Sequence, residues 1–255
     1  MLLIPVETPL IKRGDSVIDL LLDSIRKEGE RLMDGDVLAL ADKVVAVSEG
    51  RVVKLGGVAP SKRAIGLAHK CGLDPRFVEL VLREADEVYG GAERALLTLK
   101  GGVMIANAGV DRTNVPRGYV SLWPEDPNEE AEMIRDVIKR KTRANIGVIL
   151  VDSKVQPLRM GCTGFALGMA GIKPVVDMRG GKDLYGKTLY ITRVNVADDL
   201  AAAAHLLMGE ADEGRPLVII RGAPVEVTDD YDADEVKISM GECLYLRNLA
   251  PRRRP

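Results

Sequence analysis

The chain has 255 residues, 46% hydrophobic and 29% charged, enough apolar content to bury a sizeable core in one large domain or two small ones. Its 36 basic and 38 acidic residues nearly cancel to a net charge of −2, which gives no electrostatic reason to expect a nucleic acid partner. No apolar run reaches the ~18 residues of a membrane span, and MLLIPVETPLIKRGD has neither a basic leader nor a cleavage site, so a cytoplasmic protein is expected.

DSVIDLLLDSIRKEGERLM predicts an amphipathic helix over residues 15–33, with Asp15 and Ser16 as candidate caps and Val17, Leu20, Leu21, Ile25 and Leu32 at helical spacing. Residues 34–53 read as a turn, a buried strand, a polar interruption at Ala41 to Lys43, and a further apolar stretch closing on Gly50. Helices follow around 61–70 and 75–86, the second opening on Asp74 and Pro75. RALLTLK and GVMIANAGV pair as strands about Gly101 and Gly102. A loop with Pro116, Pro124 and Pro127 leads to the helix NEEAEMIRDVIKRKTRA, and IGVILVD is a continuously apolar strand ending on Asp152. KTLYITRVNV then reads as strand, VADDLAAAAHLLMG as helix, PLVIIRG as buried strand and residues 250–255 as a solvated basic tail. Helices and strands mix without the strict alternation of a doubly wound sheet, so the fold class is α+β with mixed sheets and helices, not Rossmann.

Gly181, Gly186, Lys187 and Thr188 satisfy the literal string G-x-x-x-x-G-K-[ST] of a P-loop. A working P-loop joins a strand to a helix, so that backbone amides and the helix N-terminus face the same phosphate. Here the β-rich Leu189, Ile191, Thr192 and Val194 follow, so the string reads as a turn at Tyr185 and Gly186. Cys71, Cys162 and Cys243 are odd in number, and with His69 and His205 their spacing indicates neither a disulfide framework nor a Cys/His zinc site. What remains is carboxylates. Asp111 follows an apolar strand, Asp152 ends another with Ser153 beside it, and Glu210 follows a helix. These are hard oxygen donors of the kind Mg²⁺ and Mn²⁺ take, although an Asp at a strand end is more commonly a turn former.

Taken in order and spacing, PVETPLIKRGD, DGDVLALADKVVAVSEGR, NAGVDRTNV, VDSKVQPLRMG, GFALGMAG, DLYGKTL, VADDLAAAAHLLMGEADEG and IIRG resemble the coenzyme F420-0:L-glutamate ligase family, enzymes that add γ-linked glutamates to a deazaflavin cofactor. The resemblance implies one catalytic unit over residues 1–249, in two interleaved lobes, acting as an intertwined homodimer. It implies a ligase that takes GTP or ATP, L-glutamate and a carboxylate-bearing cofactor, with a pair of Mg²⁺ or Mn²⁺ ions. On matching positions Asp111, Asp152, Ser153 and Glu210 would be metal ligands. Nucleotide contacts would come from Thr8, Pro9, Leu10, Ile11, Asp42, Lys43, Asn114, Met208, Gly209 and Glu210. Lys43 or Arg159 would stabilise charge on a transferred phosphoryl group, Arg159 having a surface salt bridge as its plainer role.

The chain departs from the family pattern at three places. Asp42 replaces a small hydroxyl residue, Val47 a lysine, and Val155-Gln156 a Gly-Arg pair. A folate or other pterin acceptor, or a non-catalytic binding role, fits the same residues. Gly161, Gly164, Gly168 and Gly171 permit close approach, and their alternation with Phe165, Ala166, Leu167 and Met169 favours a packed neighbour over a ligand.

Overall fold

The computed structural model describes residues 1–249, so the basic tail expected over 250–255 lies outside the described residues. In chain order the first half contains β1 (Leu2–Val6), α1 (Val17–Lys27), β2 (Val37–Ala41), α2 (Asp42–Ser48), β3 (Val52–Lys54), α3 (Lys62–Cys71), α4 (Pro75–Glu84), β4 (Glu87–Ala92), β5 (Ala95–Lys100), β6 (Val103–Ala106) and β7 (Tyr119–Ser121). The second half contains α5 (Pro127–Thr142), β8 (Gly147–Val155), β9 (Cys162–Ala170), β10 (Val175–Asp177), β11 (Arg193–Asn195), α6 (Val196–Met208), β12 (Leu217–Arg221) and α7 (Leu244–Leu249).

A five-stranded sheet in the order β1-β12-β2-β8-β9 carries the site. β2 and β8 run parallel while every other pairing in this sheet is antiparallel, which makes the sheet mixed and the class α+β. Both faces are covered. Leu38, Leu40, Val148, Leu150, Leu217 and Ile219 pack against Leu21 and Ile25 of α1 and Ile134 and Ile138 of α5. Val37, Ala39, Ile149, Val218 and Ile220 pack against Val196, Leu200, Ala201 and Ala204 of α6. A sheet buried on both sides needs apolar residues at every position, which is why VLALA, GVILV and LVII are unbroken runs. The residues between α2 and α5 build a separate core from Phe77, Val78 and Val81 of α4, Ala64 and Ala68 of α3, Leu96, Val110 and Val120.

The helix expected over 15–33 stops at Lys27, because the Glu30 amide turns back to Ile25 O at 3.1 Å through Gly29 at φ +76°. The apolar stretch after Ala41 is helix α2, not strand: Val45 and Ala46 bury one helical face, and tertiary packing overrides the β preference of its valines. β4 adds a third strand to the hairpin of β5 and β6, with a bulge between Val88 and Gly90. Asp152 does not end β8, which continues to Val155; an irregularity of register at Leu150/Val151 places it opposite Phe165. Bulges commonly re-aim a side chain beside a site in this way.

The P-loop string forms a turn. Gly186 sits at φ +77°, and Asp183 Oδ1 accepts from the amides of Tyr185 and Lys187 at 2.8 and 2.9 Å. No helix follows; Thr188 makes only an isolated bridge to Lys182, and strand pairing is confined to Arg193–Asn195. The expected strand over 187–196 is therefore mostly irregular chain with Leu184, Tyr185, Tyr190 and Ile191 exposed, since β-forming residues without a neighbouring strand have no ladder to join. Among the described residues no helix is long and apolar enough to cross a membrane.

Candidate active site

A cleft of about 430 Å³ opens at the carboxyl ends of the parallel pair β2 and β8. Chains leaving parallel strands at that edge diverge, which leaves a crevice where loops can hold a ligand. Thr8, Pro9, Leu10, Ile11, Asp42, Lys43, Asp111, Asn114, Asp152, Ser153, Met208, Gly209 and Glu210 all line it. A larger cavity of about 680 Å³, walled by the ends of α1 and α5, contains none of them.

Asp42 and Lys43 enter from the first turn of α2, immediately after β2. Lys43 Nζ is hydrogen-bonded and ion-paired to Asp111 Oδ2 and donates to Thr113 Oγ1 at 2.7 Å. The Thr113 hydroxyl donates to Asp111 Oδ2 as well, and the amides of Arg112 and Thr113 reach Oδ1 at 2.6 and 3.0 Å. Burial works to raise the Asp111 pKa, but the charge and hydrogen bonds of Lys43 and Thr113 outweigh it and hold the carboxyl below its usual range. Asp152 accepts from the Trp123 indole at 2.6 Å and from the Ser153 amide at 2.7 Å. Burial pushes its pKa up despite those donors and Lys43. Asp42, 6% exposed, is pushed up further, by burial and then by the charge of Asp152.

Three carboxylates thus share the neighbourhood of one lysine. Burial and mutual charge raise the Asp42 and Asp152 pKa values while Lys43 holds Asp111 ionised, a concentration of carboxylates that a divalent ion bound through hard oxygens would neutralise. The donor set fits Mg²⁺ or Mn²⁺.

Glu210 lies at the other end, just past α6, where its Oε1 accepts from His205 Nε2 at 2.6 Å and Cys162 Sγ at 3.2 Å. Those contacts and Ser153 hold the Glu210 carboxyl below its usual range against burial. Gly209, at φ +75°, turns the chain so closely that a side chain there would overlap the Glu213 carboxylate. Asn114, itself at φ +53°, donates to Ala211 O at 3.0 Å, so one expected nucleotide contact braces the loop carrying Gly209 and Glu210. Thr8 N donates to Gly214 O at 3.1 Å, which ties the loop after β1 to the same segment.

The structure does not bring Arg159 into the cleft. It stands exposed on the loop between β8 and β9, next to Leu158 at φ +58°. Gln156 is also exposed and donates to Thr163 at 3.1 Å. Sequence reasoning missed Thr113, His205 and Arg215, which do line the cleft. Arg215 is the notable omission, because its buried Nε has no hydrogen-bond partner among the described residues. The glycines of β9 pack as expected: a Cβ at Gly164 would stand 2.7 Å from Ala201 O, and one at Gly168 would overlap Pro127.

Fold and cleft together define an α+β scaffold with an acidic crevice bordered by the loop that follows α6. A family model described as F420-0:Gamma-glutamyl ligase matches residues 5–222. The chain is 42% identical over 217 residues to the coenzyme F420:L-glutamate ligase of Methanothermobacter thermautotrophicus, covering 85% of this chain and 86% of that one. It is 41% identical over 225 residues to the protein of the same name from Methanopyrus kandleri, covering 88% and 87%. With the one from Archaeoglobus fulgidus the identity is 39% over 248 residues, covering 94% and 98%. The chain belongs to the F420-0:gamma-glutamyl ligase family.

Proposed function

We propose that this chain joins L-glutamate to the deazaflavin coenzyme F420-0 through γ-linked amide chemistry, with GTP as the energy source and Mg²⁺ or Mn²⁺ as required ions. The observation that carries the reading is the crowding of Asp42, Asp111 and Asp152 around Lys43, in one cleft with Ser153 and Glu210. An amide does not form from a carboxylate and an amine in water without activation. Transfer of the γ-phosphoryl group to the acceptor carboxylate gives an acyl phosphate and a nucleoside diphosphate. The neutral amine of glutamate then attacks the acyl carbon, phosphate leaves, and the nitrogen loses a proton.

Asp111, Asp152, Ser153 and Glu210 would hold two ions, which when bound would supply positive charge to neutralise the phosphates. This chain's own residues do the remainder. Lys43 keeps Asp111 ionised and in place through the pair they share. Trp123 and the Ser153 amide fix both oxygens of Asp152. Lys43 and Arg215 are the cationic groups of the cleft wall, and they offset the phosphate charge where the family's lysine is Val47 here. The backbone of residues 208–214 faces the nucleotide.

The same reading includes a homodimer and a cytoplasmic setting. Support for the dimer comes from residues 176–194, which carry Leu184, Tyr185, Tyr190 and Ile191 at 79% exposure or more, an apolar projection that a second copy would cover. Light scattering on the purified chain reads the dimer directly. The catalytic reading is tested by mass spectrometry after incubation with glutamate, Mg²⁺ or Mn²⁺, GTP or ATP, and separate acceptors: F420-0, a folate and another pterin. Glutamate addition to F420-0 with release of nucleoside diphosphate is expected. Addition only to folate or pterin moves the acceptor, and neither product nor nucleotide cleavage with any acceptor sinks the ligase reading.

A further inference from the structure

Three charged side chains from separate parts of the chain close a ring around Trp123. Arg51, just after α2, donates from Nε to the Trp123 carbonyl at 3.0 Å and from Nη2 to Glu84 Oε2 at 3.1 Å. Glu84 ends α4, and the same oxygen accepts from Lys100 Nζ at 2.6 Å. Lys100 ends β5, and its ammonium stands over the indole, 5.1 Å from the ring centroid. The backbone and the ring of one residue are thus tied to one carboxylate by two cations.

Stability alone is a weak reason for such a group, because taking charges out of water offsets much of their attraction, and the Lys100 and Glu84 side chains are each only 17% exposed. Two cations on one carboxylate also leave a net positive charge beside the ring. The edge of that ring faces Asp152: Trp123 Nε1 donates to Oδ2 at 2.6 Å, a short charge-assisted bond. An aromatic face is electron-rich and its edge electron-poor, so a cation over the face draws density away and makes the N–H a stronger donor. The indole is also boxed in, since a side chain at Gly109 would overlap it and the Phe165 ring stands 6.3 Å away at 55°.

We propose that Lys100, with Arg51 and Glu84, is a positioning unit for Asp152 that acts through Trp123. Arg51 anchors the indole at its backbone, Lys100 sets the tilt of its face, and the ammonium strengthens the N–H that Asp152 accepts. None of the three lines the cleft, so they are positioning and not catalytic residues. The unit joins the second core, which includes α4 and β5, to the strand β8 that carries Asp152. The inference rests on the preceding reading in taking Asp152 as part of the reaction.

Trp123 is the chain's single tryptophan, so intrinsic fluorescence reports on it alone. Lys100→Met keeps the length and loses the charge, whereas Lys100→Arg keeps a cation able to face both the indole and Glu84. Quenching of Trp123 by acrylamide should rise about twofold in Lys100→Met as the ring loosens, and return to the wild-type value in Lys100→Arg. Glu84→Gln, which releases both cations from their shared oxygen, should raise it likewise. In the ligation assay Lys100→Met should lower kcat about tenfold and leave KM for glutamate and nucleotide within about threefold. Added to Trp123→Phe, which keeps a ring but loses the N–H, Lys100→Met should lower kcat no further, since a group acting through Trp123 then has nothing to act on. Lys173→Met, which breaks an exposed ion pair elsewhere, changes none of these values, and circular dichroism confirms that each variant is folded. Unchanged quenching in both Lys100→Met and Glu84→Gln, or losses that multiply in the double variant, overturns the unit whatever the acceptor panel shows. Failure of wild type on every acceptor, with the quenching differences intact, counts against the ligase reading and leaves the hold on Trp123 standing.

Discussion

At the Asp152 end of the cleft each carboxylate oxygen of Asp111 and Asp152 already has a protein donor, whereas at the other end Glu210 is half exposed and receives both His205 and Cys162 on Oε1. The first end is held from behind. Gly109, at φ +71°, lets Trp123 lie flat against the turn before Asp111, and the Trp123 indole in turn grips Asp152. The second end is held from one side only, by the approach of α6 to β9 across Gly164. Rigid positioning suits a group that must align a phosphoryl transfer, where misplacement by about 1 Å can cost some 10²-fold. A half-exposed carboxylate on a loop can exchange its partners.

The largest loss is expected from the rigid end. Asp111→Ala and Asp152→Ala should each lower kcat by about 10³-fold or more, because a bound ion contributes several kcal/mol of charge stabilisation and each 1.36 kcal/mol is tenfold. Each variant should keep its fold. Turnover within threefold of wild type in either one removes that residue from the reaction and erases the distinction between the ends.

Two glycine variants separate the ends without touching a ligand. Gly109→Ala combines an unfavourable φ with overlap of the buried Trp123 indole, so it should destabilise by about 2–4 kcal/mol and lower activity by displacing Trp123 from Asp152. Gly164→Ala should cost about 1–3 kcal/mol as α6 is pushed from β9. Its signature is a loss of stability with the Asp152 environment unchanged, read from unaltered Trp123 fluorescence. Denaturant unfolding gives both stabilities. Equal effects of the two variants on Trp123 fluorescence would show that the ends move as one body.

The contrast also explains what could be read from sequence. The central strands were legible because burial on both faces leaves no polar residue in VLALA or LVII. Helix α2 was not, since its valines carry β preference and only its packing against the sheet decides. Every expected metal or nucleotide residue lines the cleft, because those assignments came with a whole-chain pattern and not from local spacing. Arg159 was placed by a local argument, its glycine-flanked loop, and the structure leaves that loop in solvent. Cys162 and His205 carried no spacing signal because a strand start and a helix end become neighbours only through the side chain that Gly164 lacks.

The smallest effect is expected from a carboxylate outside the cleft, and it calibrates the charge crowding inside. Burial, then the hydrogen bond and charge of Glu130, push the Glu49 pKa up to about 7 from 4.5. A raised folded-state pKa means that the folded chain binds more protons than the unfolded one between those values, so stability falls as pH rises from 4.5 to 7 and is level above. Glu49→Gln removes the penalty. It should match wild type at pH 4 and exceed it at pH 8 by about 1 kcal/mol, solvent screening at this exposed side chain holding the gain to that size. Chemical unfolding at the two pH values checks the sign. A gain already present at pH 4 would trace the effect to packing instead of charge, and Glu49 would then give no measure of what carboxylate crowding costs in the cleft.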